Sequence, residues 1–175
     1  MKHPITFLIC IIHCLAAIGQ QADTEFTKGW LLTGRLTNGA ITNFKSTAPD
    51  LYTGGVGLNT QFTVVPGLLR LGANASAVYH SKKVSGLFGP VAALKLKSFS
   101  TKNFGSLANI HLIAEANWGT NKQQMAGGGL GFEILELAHI GITAQRDYKW
   151  NHWWLQSFIA IRLNKFKQQQ DEYSR

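Results

Sequence analysis

Residues 52–64 read YTGGVGLNTQFTV, and their side chains divide by parity into two sets. Tyr52, Gly54, Val56, Leu58, Thr60, Phe62 and Val64 make a mostly apolar face, while Thr53, Gly55, Gly57, Asn59, Gln61 and Thr63 make a small, polar one. A period of two places alternate side chains on opposite faces of a β-strand. Strands of soluble domains usually run about five or six residues, whereas membrane-crossing strands need about nine to eleven. The alternation here persists for 13 residues, which points to the longer class.

The same pattern recurs on both sides of this stretch. After Val65, Pro66 and Gly67, a tight reversal, Leu69, Leu71, Ala73, Ala75, Ala77 and Tyr79 oppose Arg70, Gly72, Asn74, Ser76 and His80. Further strands are predicted over 86–99, 106–118, 125–135, 138–149 and 153–164, with an eighth over 28–38 whose polar side carries Thr33, Arg35 and Thr37. In 106–118, Ile113 is an apolar residue on the polar side. Pro90 removes a ladder donor inside 86–99, so that strand is expected to start after it or to bulge. An even strand count allows antiparallel closure, and single-chain bacterial outer-membrane barrels begin at eight.

Alternation alone does not say which face points inward, because soluble ligand-binding barrels alternate too. The rims do. The connections 39–50, 81–85, 119–124 and 150–152 fall at one end, and the apolar faces there carry Tyr52, Tyr79, Phe88, Trp118, Tyr148, Trp150 and Trp153. Such rings form a belt at a membrane interface. A thinner band, Trp30, Phe62, Phe99 and Phe166, marks the other rim. The polar faces are rich in Gly, Asn, Thr, Ser and Gln, which suits a cramped interior better than a solvated surface. The expected fold is all-β: a single eight-stranded antiparallel transmembrane barrel over 20–166, with a short polar tail at 167–175.

Composition agrees. Charged residues make up 15% of the 175 residues and hydrophobic ones 45%, against about 25% charged in ordinary soluble domains. Residues 1–19, MKHPITFLICIIHCLAAIG, have the form of a secretory signal peptide. Both cysteines, Cys10 and Cys14, lie within it, so disulfide and thiol chemistry are excluded for the remaining chain. The formal charge of +8 does not point to nucleic acid, because the basic residues form no dense patch and the signal directs export.

The predicted lumen holds Arg70, His80, Lys95, Lys97, His111, Glu115, Glu133, His139, Asp147 and Arg162. These read as a polar network in which opposite charges satisfy one another. A narrow water path for small solutes is the alternative use of such a lumen. A hydrolase would need a nucleophile, base and acid within reach; His80 beside Ser81 supplies the types without a diagnostic spacing, so no catalytic residue is assigned. No metal site or cofactor is expected, since the histidines lie on separate strands and neither HExxH nor paired cysteines occur. Lys82, Lys83, Lys122 and Lys149 lie near the loop rim, where anionic membrane lipids, lipopolysaccharide among the candidates, are the expected partners. The short loops imply no large protein partner and a monomer. A secreted soluble barrel holding an apolar ligand is the main rival.

The signal, LYTGGVGLNTQF at 51–62, AGGGLGFEILE at 126–136 with its return in LAHIGITAQRDYKW, and the closing SFIAIRLNKF at 157–166 together resemble small bacterial outer-membrane β-barrels, especially the porin-family barrel proteins of Bacteroidota. The resemblance covers residues 28–166 and is one of pattern. It implies a bacterial outer-membrane location more strongly than an activity. The chain departs from the family's habit of ending on an aromatic residue, since KQQQDEYSR follows Phe166.

Overall fold

The structure is a computed structural model that describes residues 29–44, 51–101, 105–135 and 137–164. The signal-like segment 1–19, Phe166 and the tail 167–175 lie outside the described residues. Eight strands follow one another: β1 Trp30–Thr42, β2 Leu51–Val65, β3 Leu69–His80, β4 Lys83–Thr101, β5 Gly105–Gly119, β6 Gln124–Ile134, β7 Ala138–Asp147 and β8 His152–Arg162. Each pairs antiparallel with the next, and β8 pairs with β1, so the sheet closes into a barrel without an edge.

The stagger of that closure can be walked residue by residue. From Trp30 the partners run through Phe62, Leu71, Ala92, Ala114, Gly128, Ala144 and Leu155, and return to β1 at Ala40, ten residues from the start. With about 3.3 Å per residue and about 4.8 Å between strands, this corresponds to a strand tilt of about 40°. An 11-residue strand such as β8 then rises about 27 Å along the barrel axis, close to the ~25 Å apolar band of membrane barrels.

Burial follows parity around the wall. Leu36, Val56, Leu58, Leu71, Leu112, Leu130, Ile140, Ile142 and Ile159 are exposed on the outside. Thr33, Asn59, Arg70, His111, Glu115, Glu133, His139, Gln145 and Asp147 are buried inside. Apolar residues therefore face out and polar residues face in, the reverse of a soluble barrel with an apolar ligand cavity. The aromatic residues stand at the ends. Tyr52, Tyr79, Phe88, Trp118, Tyr148 and Trp150 are exposed at the mouth, the end formed by the connections after β1, β3, β5 and β7. Trp153 is half-buried there, with the Arg146 guanidinium 5.4 Å from its ring centroid. At the opposite end Trp30 and Phe62 stack at 6.4 Å.

Three expectations need correction. β1 runs on to Thr42, so the first connection is shorter than 39–50. Pro90 neither starts nor bulges its strand: β4 begins at Lys83, Pro90 partners Ala73, and the β4–β5 register is the same on both sides of it. The register shifts instead at Leu96, between the pairs Lys95↔His111 and Lys97↔Ile110, and again between Phe99 and Ser100. The extra residue at Leu96 reverses parity, so Lys97 leaves the predicted lumen set and lies exposed outside, 5.1 Å from the Phe99 ring. Trp154, on the opposite parity from Trp153, is buried inside.

Inward-facing glycines permit the tight curvature. At Gly72 a Cβ would lie 1.8 Å from the Thr60 carbonyl oxygen of β2, so any side chain must push two paired backbones apart. At Gly34, facing out, the same atom would meet Leu163 at an ordinary 3.6 Å. Gly72→Ala is expected to destabilise the barrel by about 2 kcal/mol or more through overpacking, and Gly34→Ala by less than about 0.5 kcal/mol. Equilibrium unfolding in urea from lipid vesicles checks the contrast.

Candidate functional site

The lumen is organised in layers set by the register. In the layer nearer the chain ends, Arg70 Nη1 donates to Glu133 Oε2 at 3.3 Å, and His139 Nε2 lies 3.6 Å from Glu133 Oε1. The His111 ring meets His139 edge-on at 6.2 Å. It occupies the space beside Gly131, where a Cβ would fall 2.3 Å from His111 Nε2. Ser98 donates to Asn109 Oδ1 at 2.8 Å. Lys95, opposite His111 in the ladder, is half-buried, and Arg162 Nε donates to Asn164 Oδ1 at 3.2 Å at the end of the barrel.

Midway along the axis Arg35 Nη1 pairs with Glu115 Oε1 at 2.5 Å, the two side chains being 11% and 2% exposed. Gln145 donates to Glu115 Oε2 and accepts from Asn117 Nδ2 at 3.1 Å. The Arg35 guanidinium also lies 4.1 Å from the Phe158 ring centroid, a cation–π contact that fixes the cation at a second face. Two voids of about 30 Å³ each flank this pair. Each has room for one or two waters.

At the mouth the arrangement changes. His80 Nε2 lies 2.8 Å from Ser85 Oγ and 3.1 Å from Gln123 Nε2. Ser85 Oγ accepts from Asn121 Nδ2 at 2.6 Å and Gln123 Nε2 at 2.9 Å. With its acceptor capacity used, Ser85 gives its own proton to His80. Trp154 packs edge-on against His80 at 5.0 Å. Above this floor opens a recess of about 630 Å³, bordered by His80, Lys83, Lys122, Asp147, Trp150 and Trp154.

Of the residues predicted for the lumen, Arg70, Glu133, His111 and His139 come together in one cluster, and Glu115 belongs to a separate one. His80 and Asp147 lie at the mouth, Lys95 and Arg162 toward the other end, and Lys97 outside. Arg35 is the principal residue absent from that set, although its parity already placed it on the polar side. Ser85, not the neighbouring Ser81, is the hydroxyl that meets His80. This nucleophile-and-base pair has the distance general-base chemistry needs, but Ser85 is 0% exposed, which gives a substrate no approach. Among the described residues no group of three or more His, Cys, Asp or Glu is placed to hold a metal ion.

No family model matches the chain, and no curated protein matches it. Among solved structures it is similar to a de novo designed transmembrane β-barrel, with 15% identity, a TM-score of 0.47, and coverage of 76% of this chain and 95% of that one. A second designed barrel, solved by solution NMR, gives 13%, 0.46, 78% and 96% respectively.

Removing one partner of a buried ion pair leaves an uncompensated charge, at a cost of about 3–5 kcal/mol. Glu115→Ala is therefore expected to destabilise the barrel by that order, with Arg35→Leu/Glu115→Leu recovering most of the loss. A double-mutant cycle on unfolding free energies measures it.

Proposed function

We propose that the protein is a small bacterial outer-membrane β-barrel of the porin-like kind, closed to solutes, with a structural or small-ligand role centred on its outer mouth. The observation that carries this reading is the inversion of sidedness: exposed Leu, Ile, Val and aromatic residues surround the wall, while carboxylates, guanidinium groups and amides are buried within. Such an exterior in water would expose a far larger apolar surface than soluble monomers tolerate. In hydrocarbon it is the favourable arrangement, and closure removes the unpaired edges an open sheet would present.

Aromatic residues at both ends fit headgroup depth. The two small voids favour a plugged interior over a passive pore. The enclosure of Ser85 supports a non-catalytic role. Membrane lipids are the partners this exterior implies, and the export-like segment accords with passage to an outer membrane.

Purification is expected to require detergent, and the folded band is expected to migrate faster on a gel before boiling than after. Recovery from a soluble periplasmic fraction without detergent contradicts the membrane reading. In planar bilayers the folded protein is expected to show no discrete conductance steps, and stable unitary currents contradict the closed lumen.

A further inference from the structure

Polar side chains are scarce on the outer wall between its aromatic rims, and those present differ in how they are served. Thr60 on β2 accepts from Trp30 Nε1 near the rim opposite the mouth. Asn38 on β1 and Ser157 on β8 are both exposed, and they are partners in the ladder that closes the barrel. Ser157 is the sixth of the eleven residues of β8, four residues inward of Trp153. At about 3.3 Å per residue and a tilt of about 40°, it lies about 10 Å inside the level of that ring, at hydrocarbon depth.

Ser157 Oγ donates to the Asn38 carbonyl at 3.2 Å across the seam and keeps its acceptor lone pairs. The Asn38 carboxamide, with two donor hydrogens and an acceptor oxygen, makes no hydrogen bond among the described residues. In lipid no water supplies one, and an amide left unpaired in an apolar medium is costly. The wall beside it is also low. Gly128, Ala144 and Ala40 form one outward row with Leu155, and over them opens a recess of about 670 Å³ that Asn38 and Ser157 border. Small residues let membrane-embedded surfaces approach closely, and amide and hydroxyl groups then bond across the contact.

An acyl chain fills such a recess but offers the amide nothing. A protein partner must bring a donor and an acceptor to the same depth, and a second copy does so by construction. Two copies inserted in one direction close into a pair about a two-fold axis along the membrane normal, which conserves depth. With the axis over the β8–β1 seam, each Asn38 faces Ser157 of the other copy. Strands about 4.8 Å apart and tilted by about 40° offset the two residues by about 3 Å in depth, within reach of the side chain. We propose that β8 and β1 form the face of a homodimer in which the Asn38 amide of each copy donates to Ser157 Oγ of the other. The contact lies on the wall, so the short loops from which a monomer was expected have no part in it. The proposal rests on the membrane reading, which alone makes the unpaired amide costly.

The test is sedimentation equilibrium of the full chain in density-matched zwitterionic detergent, over a range of protein-to-detergent ratios. A reversible monomer–dimer equilibrium is expected. Asn38→Leu, which makes the site apolar, and Ala144→Phe, which fills the recess from the lipid side, are each expected to raise the dissociation constant at least tenfold. Ala114→Phe, exposed on β5 at the far side of the barrel, is expected to leave it unchanged. A monomer at every ratio overturns the second copy as occupant, leaving an acyl chain or an unlike membrane protein. A dimer that Asn38→Leu or Ala144→Phe retains at full strength, or assemblies larger than a pair, overturns the proposal as well. Heat-modifiable migration of each sample reports the folded barrel separately, so a folded chain that stays monomeric rejects the dimer alone.

Discussion

The Arg35–Glu115 pair expresses the constraint on which the rest of the barrel depends. Once eight strands close with a stagger of ten residues, every second side chain is directed into a shaft too narrow to be filled by bulk water. An isolated charge there would carry a large desolvation cost. The inward set solves this by placing acids within reach of bases: Glu115 with Arg35, and Glu133 with Arg70 and near His139. Amides complete the coordination of the carboxylates, as Gln145 does for Glu115. Such pairs offer weak support for stability by themselves, because the attraction mainly offsets desolvation.

The fold was legible because the signal is local. Alternation in residues 52–64 and its repeats assigns each side chain to a face without knowledge of what lies across the barrel, and parity alone put Arg35, Glu115, Glu133 and His139 inward. What parity does not encode is which inward residues meet. Arg35 on β1 reaches Glu115 on β5 across the lumen, a pairing set by the cumulative stagger of all the intervening ladders. The cluster memberships were therefore illegible even though the members were visible.

The errors in the reading share one origin, which is that the period can slip without a mark in composition. Lys95, Leu96 and Lys97 alternate as well as any triplet in the chain, yet the extra residue at Leu96 turns Lys97 outward. Pro90 misled in the other direction. Its missing donor suggested a broken strand, but the β4–β5 ladder passes it in unchanged register while β3 keeps its partner Ala73. In each case the outcome turned on inter-strand register, a property of pairs of strands.

The turns at the mouth are tight without glycine. The chain contains 18 glycines, yet none falls in the described mouth connections 81–82, 120–123 and 148–151. Positive φ occurs there all the same, at Ser81 (48°), Lys82 (62°), Lys122 (64°) and Asn151 (57°). Left-handed backbone costs an L-residue roughly 1–2 kcal/mol, less for Asn, and glycine would remove the cost. At the opposite end the backbone is left-handed at Gly67 (75°) in the β2–β3 turn and at a non-glycine residue, Leu135 (51°), after β6. The mouth therefore retains side chains where backbone energetics favour none, and two of them, Ser81 and Lys122, border the recess. Short connections in defined conformations hold those groups in place at the rim of the recess, so the shape of the mouth is fixed by its turns as well as by the strands beneath it.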